Sequence, residues 1–339
     1  MKTRRLLQLD ALKALAAQLI VLHHLSAYGP VADAVQAQWP ALIDWLYEYG
    51  RVAVQIFLVL GGYLAARALS GERRPWLGLV QTRWLRLALP FMAAVLITLV
   101  AYGLAARALP ELLPENPVSA LQLLAHALLL HDVLGFESLT VGAWYVAIDL
   151  QLYALMAVLI CYTPRFAPWL ALGLVAASLA VFNRDSGWDS WAVYFFGAYG
   201  LGALVWLWRE QPRRLLMGLV AALSIAALWL EWRDRIALAG VTALLLAWNQ
   251  GRPWQPGERL AAGVAYLGQH SYALFLIHFA VLLLVNAGFV LAAPEQPWIG
   301  LVAMLGAWLL SNLAAEPFHR WVELPASRLR WGLALARRA

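Results

Sequence analysis

Apolar stretches long enough to cross a bilayer recur from Leu6 to Trp321, broken only by short polar interruptions. That repetition limits the chain to a helical bundle in lipid, because only structures that satisfy their own backbone hydrogen bonds can sit there. Composition agrees: hydrophobic residues make up 63% and charged residues 13%, too few charges to clothe a water-soluble body of this size. The expected fold is an all-α polytopic membrane bundle of about ten transmembrane helices. It forms a single integral membrane domain over residues 1–339, with no fused periplasmic domain. The basic excess of +6 is suited to anionic lipid headgroups, and no nucleic acid is needed as a partner. Cys161 is the single cysteine, so no internal disulfide can form.

Spans are expected near residues 8–28, 52–69, 86–108, 142–162, 166–182, 191–208, 215–231, 236–249, 267–291 and 298–320. The basic N-terminus and Ala32-Asp33-Ala34 mimic a secretion signal. The apolar run between them nevertheless carries Asp10, Lys13, Gln18, His23 and His24, which suit a helix packed inside a bundle. Charge sets the orientation. With both termini cytoplasmic, 19 of the 25 Lys and Arg residues fall inside, including Arg73, Arg74, Arg83, Arg86, Arg209, Arg213, Arg214, Arg252 and Arg259. Arg51, Arg107, Arg184, Arg233 and Arg235 fall outside. Were residues 117–135 a further crossing, the 209–214 and 252–259 loops would move outside, so this stretch is expected to lie at the outer interface or dip into it.

The first span carries a polar stripe. At 100° per residue, Lys13 and His24 share a face about 16 Å apart along the axis, and Asp10 falls on the same side. Ionisable residues at such depth usually line a functional cavity. A structural reading stays open, with Lys13 pairing with Asp10 and His24 bonding a carbonyl. His23 points elsewhere.

Leu9-Asp10-Ala11-Leu12-Lys13-Ala14-Leu15-Ala16 followed by His24 resembles the opening of acyltransferase family 3, bacterial membrane-bound O-acyltransferases of cell-surface carbohydrates, whose signature is a basic residue, ten spacers and a histidine. Further stretches are similar in the same order. Val54 to Leu64 resembles the second-helix motif, with Leu58 in place of a Phe and Gly61 in place of a Ser. Arg83, Arg86 and Pro90 resemble the paired arginines of the third helix, although the positive-inside rule alone could also place them there. Trp144 to Tyr153 resembles the Trp-Ser-Leu motif, with Tyr145 in place of the Ser and Asp149 in place of the glutamate. Ser271 to His278 and Glu316-Pro317-Phe318 resemble the last two helices.

The resemblance implies a multi-pass protein of the bacterial inner membrane. It would transfer an acyl group, acetyl in the first instance, from cytoplasmic acyl-coenzyme A to a hydroxyl of an extracytoplasmic carbohydrate or lipid-linked glycan. No bound cofactor or metal is expected. On this reading Lys13, Arg83 and Arg86 hold the donor phosphates, His24 is the general base, and Asp149 orients it. Asp10, Trp144, Tyr153, His278 and Glu316 are secondary candidates. Asp149 could instead pair with a bundle arginine, His278 could be a packing histidine, and Glu316 could pair with Arg320. Most tryptophans, among them Trp39, Trp45, Trp188 and Trp298, suit interfacial belts. A polysaccharide or glycolipid transporter or flippase component is the alternative class, and a non-catalytic subunit is the third.

Overall fold

In a computed structural model of the chain, residues 7–72, 74–252, 254–293, 296 and 298–329 are described. Lys2, Arg4, Arg5, Arg73, Arg330, Arg337 and Arg338, counted above for topology, lie outside them. The described residues form helices and no strand. In chain order the helices are α1 (Leu7–Ala27), α2 (Pro30–Gln36), α3 (Pro40–Gly50), α4 (Val54–Leu69), α5 (Trp76–Ala105), α6 (Ala120–Ala127) and α7 (Ala143–Tyr162). They continue with α8 (Ala167–Ala180), α9 (Ala192–Leu207), α10 (Arg213–Leu230), α11 (Asp234–Asn249), α12 (Glu258–Ala292), α13 (Trp298–Phe318) and α14 (Leu324–Arg328).

Ten of these coincide with the expected spans, and seven helical segments are long and apolar enough to cross a membrane. α1 falls short because its polar stripe dilutes its apolarity. α9 and α11 are 16 residues each, about 24 Å at 1.5 Å per residue against a hydrocarbon core of about 30 Å. Two boundaries differ from expectation. α5 begins at Trp76, ten residues early, so Arg83 and Arg86 are helical rather than leading the helix. α12 begins at Glu258. Within residues 117–135 only α6 is helical, eight residues capped by the Ser119 side chain, about 12 Å long and too short to cross.

Three close approaches fix the register around the site. A methyl group added at Gly62 would overlap the Tyr199 carbonyl, and one at Gly202 the Val59 carbonyl, so α4 and α9 touch backbone to backbone. On α12, Gly268 lets the helix settle on Asp10 of α1, where a Cβ would come within 2.6 Å of the Asp10 carbonyl oxygen. Asn286 of α12 accepts from Val31 N–H at 2.9 Å and caps α2, where Gly29 supplies the left-handed φ of 86°.

Side-chain contacts also give helix directions. Asp10 meets Gly268 and His24 meets His278, so α1 and α12 are parallel. Tyr272 donates to the Leu87 carbonyl and Tyr102 meets Phe279, so α5 runs with α12. α7 runs against α5, because Trp76 bonds the Ala154 carbonyl while Arg83 meets Asp149. The Ser70 contact of Trp206 one helical stretch beyond the Gly62 crossing makes α4 and α9 parallel.

α2 and α3 occupy the stretch expected to be an outer loop. α3 is amphipathic, with Ile43, Leu46 and Gly50 inward and Leu42, Trp45 and Tyr49 outward. Gly50 abuts His23, which sets α3 against the end of α1.

Candidate active site

His24 sits one turn from the end of α1, and α12 brings His278 to it. Nδ1 of His24 lies 2.9 Å from Nε2 of His278, with the rings stacked at 4.9 Å. The hydrogen bonding assigns the tautomers. Nδ1 of His278 lies 3.1 Å from the Leu274 carbonyl, and a carbonyl only accepts, so Nδ1 carries the proton and Nε2 of the neutral ring has a lone pair. His24 must then donate from Nδ1, which leaves its own Nε2 as an unprotonated lone pair. This polarity is what a general base needs. His278 is 1% exposed, so the second histidine is buried support for the first.

Toward the middle of the bundle, Phe275 lies beside His278 at 6.3 Å and forms a ring layer with Phe57 at 6.5 Å and Tyr145 at 5.5 Å. Below that layer, Arg83 of α5 donates twice to Oδ2 of Asp149 on α7, from Nη2 at 2.5 Å and Nε at 3.0 Å. Its guanidinium also lies over Tyr153 at 5.3 Å. Tyr145, Tyr199 and Tyr272 lie in the field of this pair. At Gly61, where the family motif has a Ser, an added Cβ would meet the Tyr199 ring at 3.3 Å and stand at ordinary contact distance, 3.7 Å, from Asp149 Oδ1.

Arg83 also lines a cavity of about 360 Å³ with Arg74, Arg86, Thr82 and Tyr153. Arg74 is held by Glu72, and Arg86 makes no ion pair among the described residues. The residues around this cavity lie at the basic end of the bundle. At the opposite end, the N-termini of α4, α7, α9 and α11 surround a cleft of about 730 Å³. Trp144 in the cleft and Tyr153 in the cavity are nine residues apart on α7, about 13 Å. The ring layer occupies the interval between them.

Several expected pairings come out differently. Asp149 bonds Arg83 rather than His24: α7 places it about 1.4 helical turns beyond Trp144, on the far side of the ring layer, and α5 supplies the nearer partner. Lys13 does not line the cavity that holds Arg83 and Arg86, and instead lies in the field of Glu323. Glu316 accepts from the Tyr266 hydroxyl at 2.9 Å rather than pairing with Arg320. Asp10 is buried against Gly268. Trp144 stacks on Phe195 at 5.2 Å in the cleft, and Tyr153 lines the cavity. Reasoning from the sequence missed Phe57, Phe275 and Tyr199 of α9. Tyr145 did leave a trace, as a bulky ring where the motif has a Ser.

His126 and His131 form a brace outside the site. They stack on each other at 4.2 Å and against Phe91, and His126 Nε2 accepts from Leu139 N–H. Burial lowers the pKa of His131 to about 3, so it is neutral. The adjacent Asp132 carboxyl is pushed up to about 6 by burial and by Asp189.

A sequence model of the acyltransferase domain matches residues 6–313, nearly the whole chain. The chain belongs to acyltransferase family 3. Comparison with curated proteins and with solved structures returns no match. Family membership makes the reaction an acyl transfer, generally to carbohydrate, and several apolar helices make this acyltransferase a multi-pass membrane protein.

Proposed function

We propose that this acyltransferase moves an acyl group, acetyl in the first instance, from cytoplasmic acyl-coenzyme A to a hydroxyl of a carbohydrate or lipid-linked glycan on the far side of a bacterial inner membrane. The observation that carries the reading is the His24–His278 bond, because it leaves Nε2 of His24 free to take a proton. All ten helices cross in this reading, with both termini cytoplasmic. The helix directions support it, since α1, α5 and α12 are then crossings one, three and nine and run together, while α4 and α9 are crossings two and six.

The acceptor hydroxyl gives its proton to Nε2 of His24 as its oxygen attacks the thioester carbonyl. The tetrahedral intermediate collapses by breaking the carbon–sulfur bond, and the departing sulfur recovers the proton from the imidazolium. His278 holds the His24 ring and its tautomer through a neutral lone pair. The imidazolium therefore gains less charge stabilisation than a carboxylate would give it, which favours rapid return of the proton to sulfur.

At the basic end, Arg86 and Arg74 suit the donor phosphates. Arg83 is already committed to Asp149, so it acts as a positioning residue for the cavity wall. The acyl arm would have to pass Phe57, Tyr145 and Phe275 to reach His24. A glycan passing through the bundle would have to displace the same layer and the histidine pair, which argues against transport.

The test is acetyl-coenzyme A turnover by the purified protein in proteoliposomes supplied with glycan extracted from its host membrane. His24→Gln is expected to abolish acceptor-dependent thiol release. Equal turnover by the parent and the variant would remove His24 from the chemistry.

A further inference from the structure

The 730 Å³ cleft has the features of a binding site that is not fully satisfied by the protein alone. Gln55 at the start of α4 lines it, is 5% exposed, and has no hydrogen-bond partner among the described residues. Its amide atoms keep access to the cleft and bond no protein group among those residues, so they are placed to meet a ligand that supplies hydroxyl groups.

The charges around it narrow the ligand further. Arg184 is paired with Glu231 at 3.1 Å. Arg233 is spent on Asn183 Oδ1 and the Leu179 carbonyl, and Arg235 on the Tyr194 hydroxyl and the Asn183 carbonyl. Exposed Arg51 shares the wall with Glu48 but makes no ion pair among the described residues. Among the described residues Asp132 and Asp189 bond no arginine, and the base beside Asp132 is the neutral His131, 3.7 Å away. The cleft therefore offers uncommitted carboxylates and a carboxamide, and its lining carries five carboxylates against four guanidiniums, of which exposed Arg51 is the one that no protein oxygen holds among the described residues.

Trp144, stacked on Phe195 and met edge-on by Tyr145, adds a braced aromatic face of the kind that packs against an apolar ring face. The wall from Glu48 to Gln55 continues from Gly50, which abuts His23, the neighbour of the base.

We propose that this cleft binds the acceptor sugar through Gln55, Asp132, Asp189 and Trp144, and that it selects a neutral or amino-bearing saccharide over one carrying a carboxylate. The assignment rests on the acyl-transfer reading for its catalytic meaning, but sugar binding can be measured without turnover. The purified full-length protein is titrated with three trisaccharides, one of neutral hexoses, one containing an amino sugar and one containing a uronic acid, using microscale thermophoresis.

The neutral and amino-sugar probes are expected to bind at least tenfold tighter than the uronate. Gln55→Met and Asp132→Asn, which keep side-chain volume, are each expected to weaken binding at least fivefold with an unchanged thermal unfolding midpoint. In turnover, the same variants raise acceptor KM and leave the acetyl-coenzyme A KM as it was. Failure of all three probes to bind, a uronate bound as tightly as the others, or indifference to both substitutions would overturn the proposal. Sugar binding with the expected sensitivities, but no thiol release with or without His24, would leave the cleft assignment standing and remove the acyl-transfer reading.

Discussion

Replacing His278 by leucine isolates what the second histidine contributes. In the parent, His24 Nδ1–H donates to His278 Nε2, and the Leu274 carbonyl fixes which His278 nitrogen accepts. With leucine at 278, that N–H is buried without an acceptor, a loss of about 1–3 kcal/mol. The tautomer carrying its proton on Nε2 escapes the penalty, and that form cannot act as a base. At 1.36 kcal/mol per decade, the shift leaves about one His24 in five to one in 150 correctly protonated. The variant should lose about 5- to 150-fold in kcat, with the acetyl-coenzyme A KM unchanged, because the donor cavity lies beyond the ring layer. His278→Gln retains an acceptor oxygen and should recover part of the loss. The readout is acceptor-dependent thiol release in proteoliposomes. Parent-like kcat in His278→Leu would refute the tautomer argument, as would a glutamine variant no better than the leucine one.

Four further outcomes follow from the same geometry. Gly202→Ala should lower the thermal unfolding midpoint in detergent and cost about 3 kcal/mol or more, because its methyl meets the Val59 backbone, whereas Gly218→Ala, with open space around it, should be neutral. Arg83→Gln leaves the 5% exposed Asp149 without its ion-pair partner, for a destabilisation of about 3 kcal/mol; Arg83→Leu combined with Asp149→Leu should recover much of it. Arg86→Gln should raise the acetyl-coenzyme A KM about tenfold at constant kcat, as expected for one charge-assisted phosphate contact; an unchanged KM would return Arg86 to a purely topological role. The acceptor KM should rise as pH falls through about 6, because Asp132, facing Asp189 and the neutral His131, takes up a proton there and loses acceptor capacity; Asp132→Asn should flatten that inflection.

The helices were legible in the sequence because each declares itself locally, through an apolar run and its flanking breakers. The Lys13–His24 stripe was legible for the same reason, since both residues lie on one helix whose periodicity is known. Pairings between helices were not. Asp149 and Arg83 are 66 residues apart, and His24 and His278 are 254 apart; which of them meet depends on how far each helix slides along its neighbour. That slide is set by Gly62 against Tyr199, Gly202 against Val59 and Gly268 against Asp10. In the sequence these residues look like any other glycines in apolar helices.

The family motif led the sequence reading to seek a carboxylate behind His24, and the register of α7 assigns that carboxylate to α5 instead. The exchange has a physical rationale. A full negative charge behind His24 would have to be desolvated at the ring layer with no cation opposite it, whereas beside Arg83 the same charge is compensated. A neutral imidazole in that position fixes the tautomer without importing a buried charge. The separation leaves a polar base on the cleft's side of the ring layer and a charged pair on the cavity's side, with three aromatic rings between them. Passage of the acyl arm between those rings, rather than proton transfer, is therefore the step at which this arrangement would control access from one side of the membrane to the other.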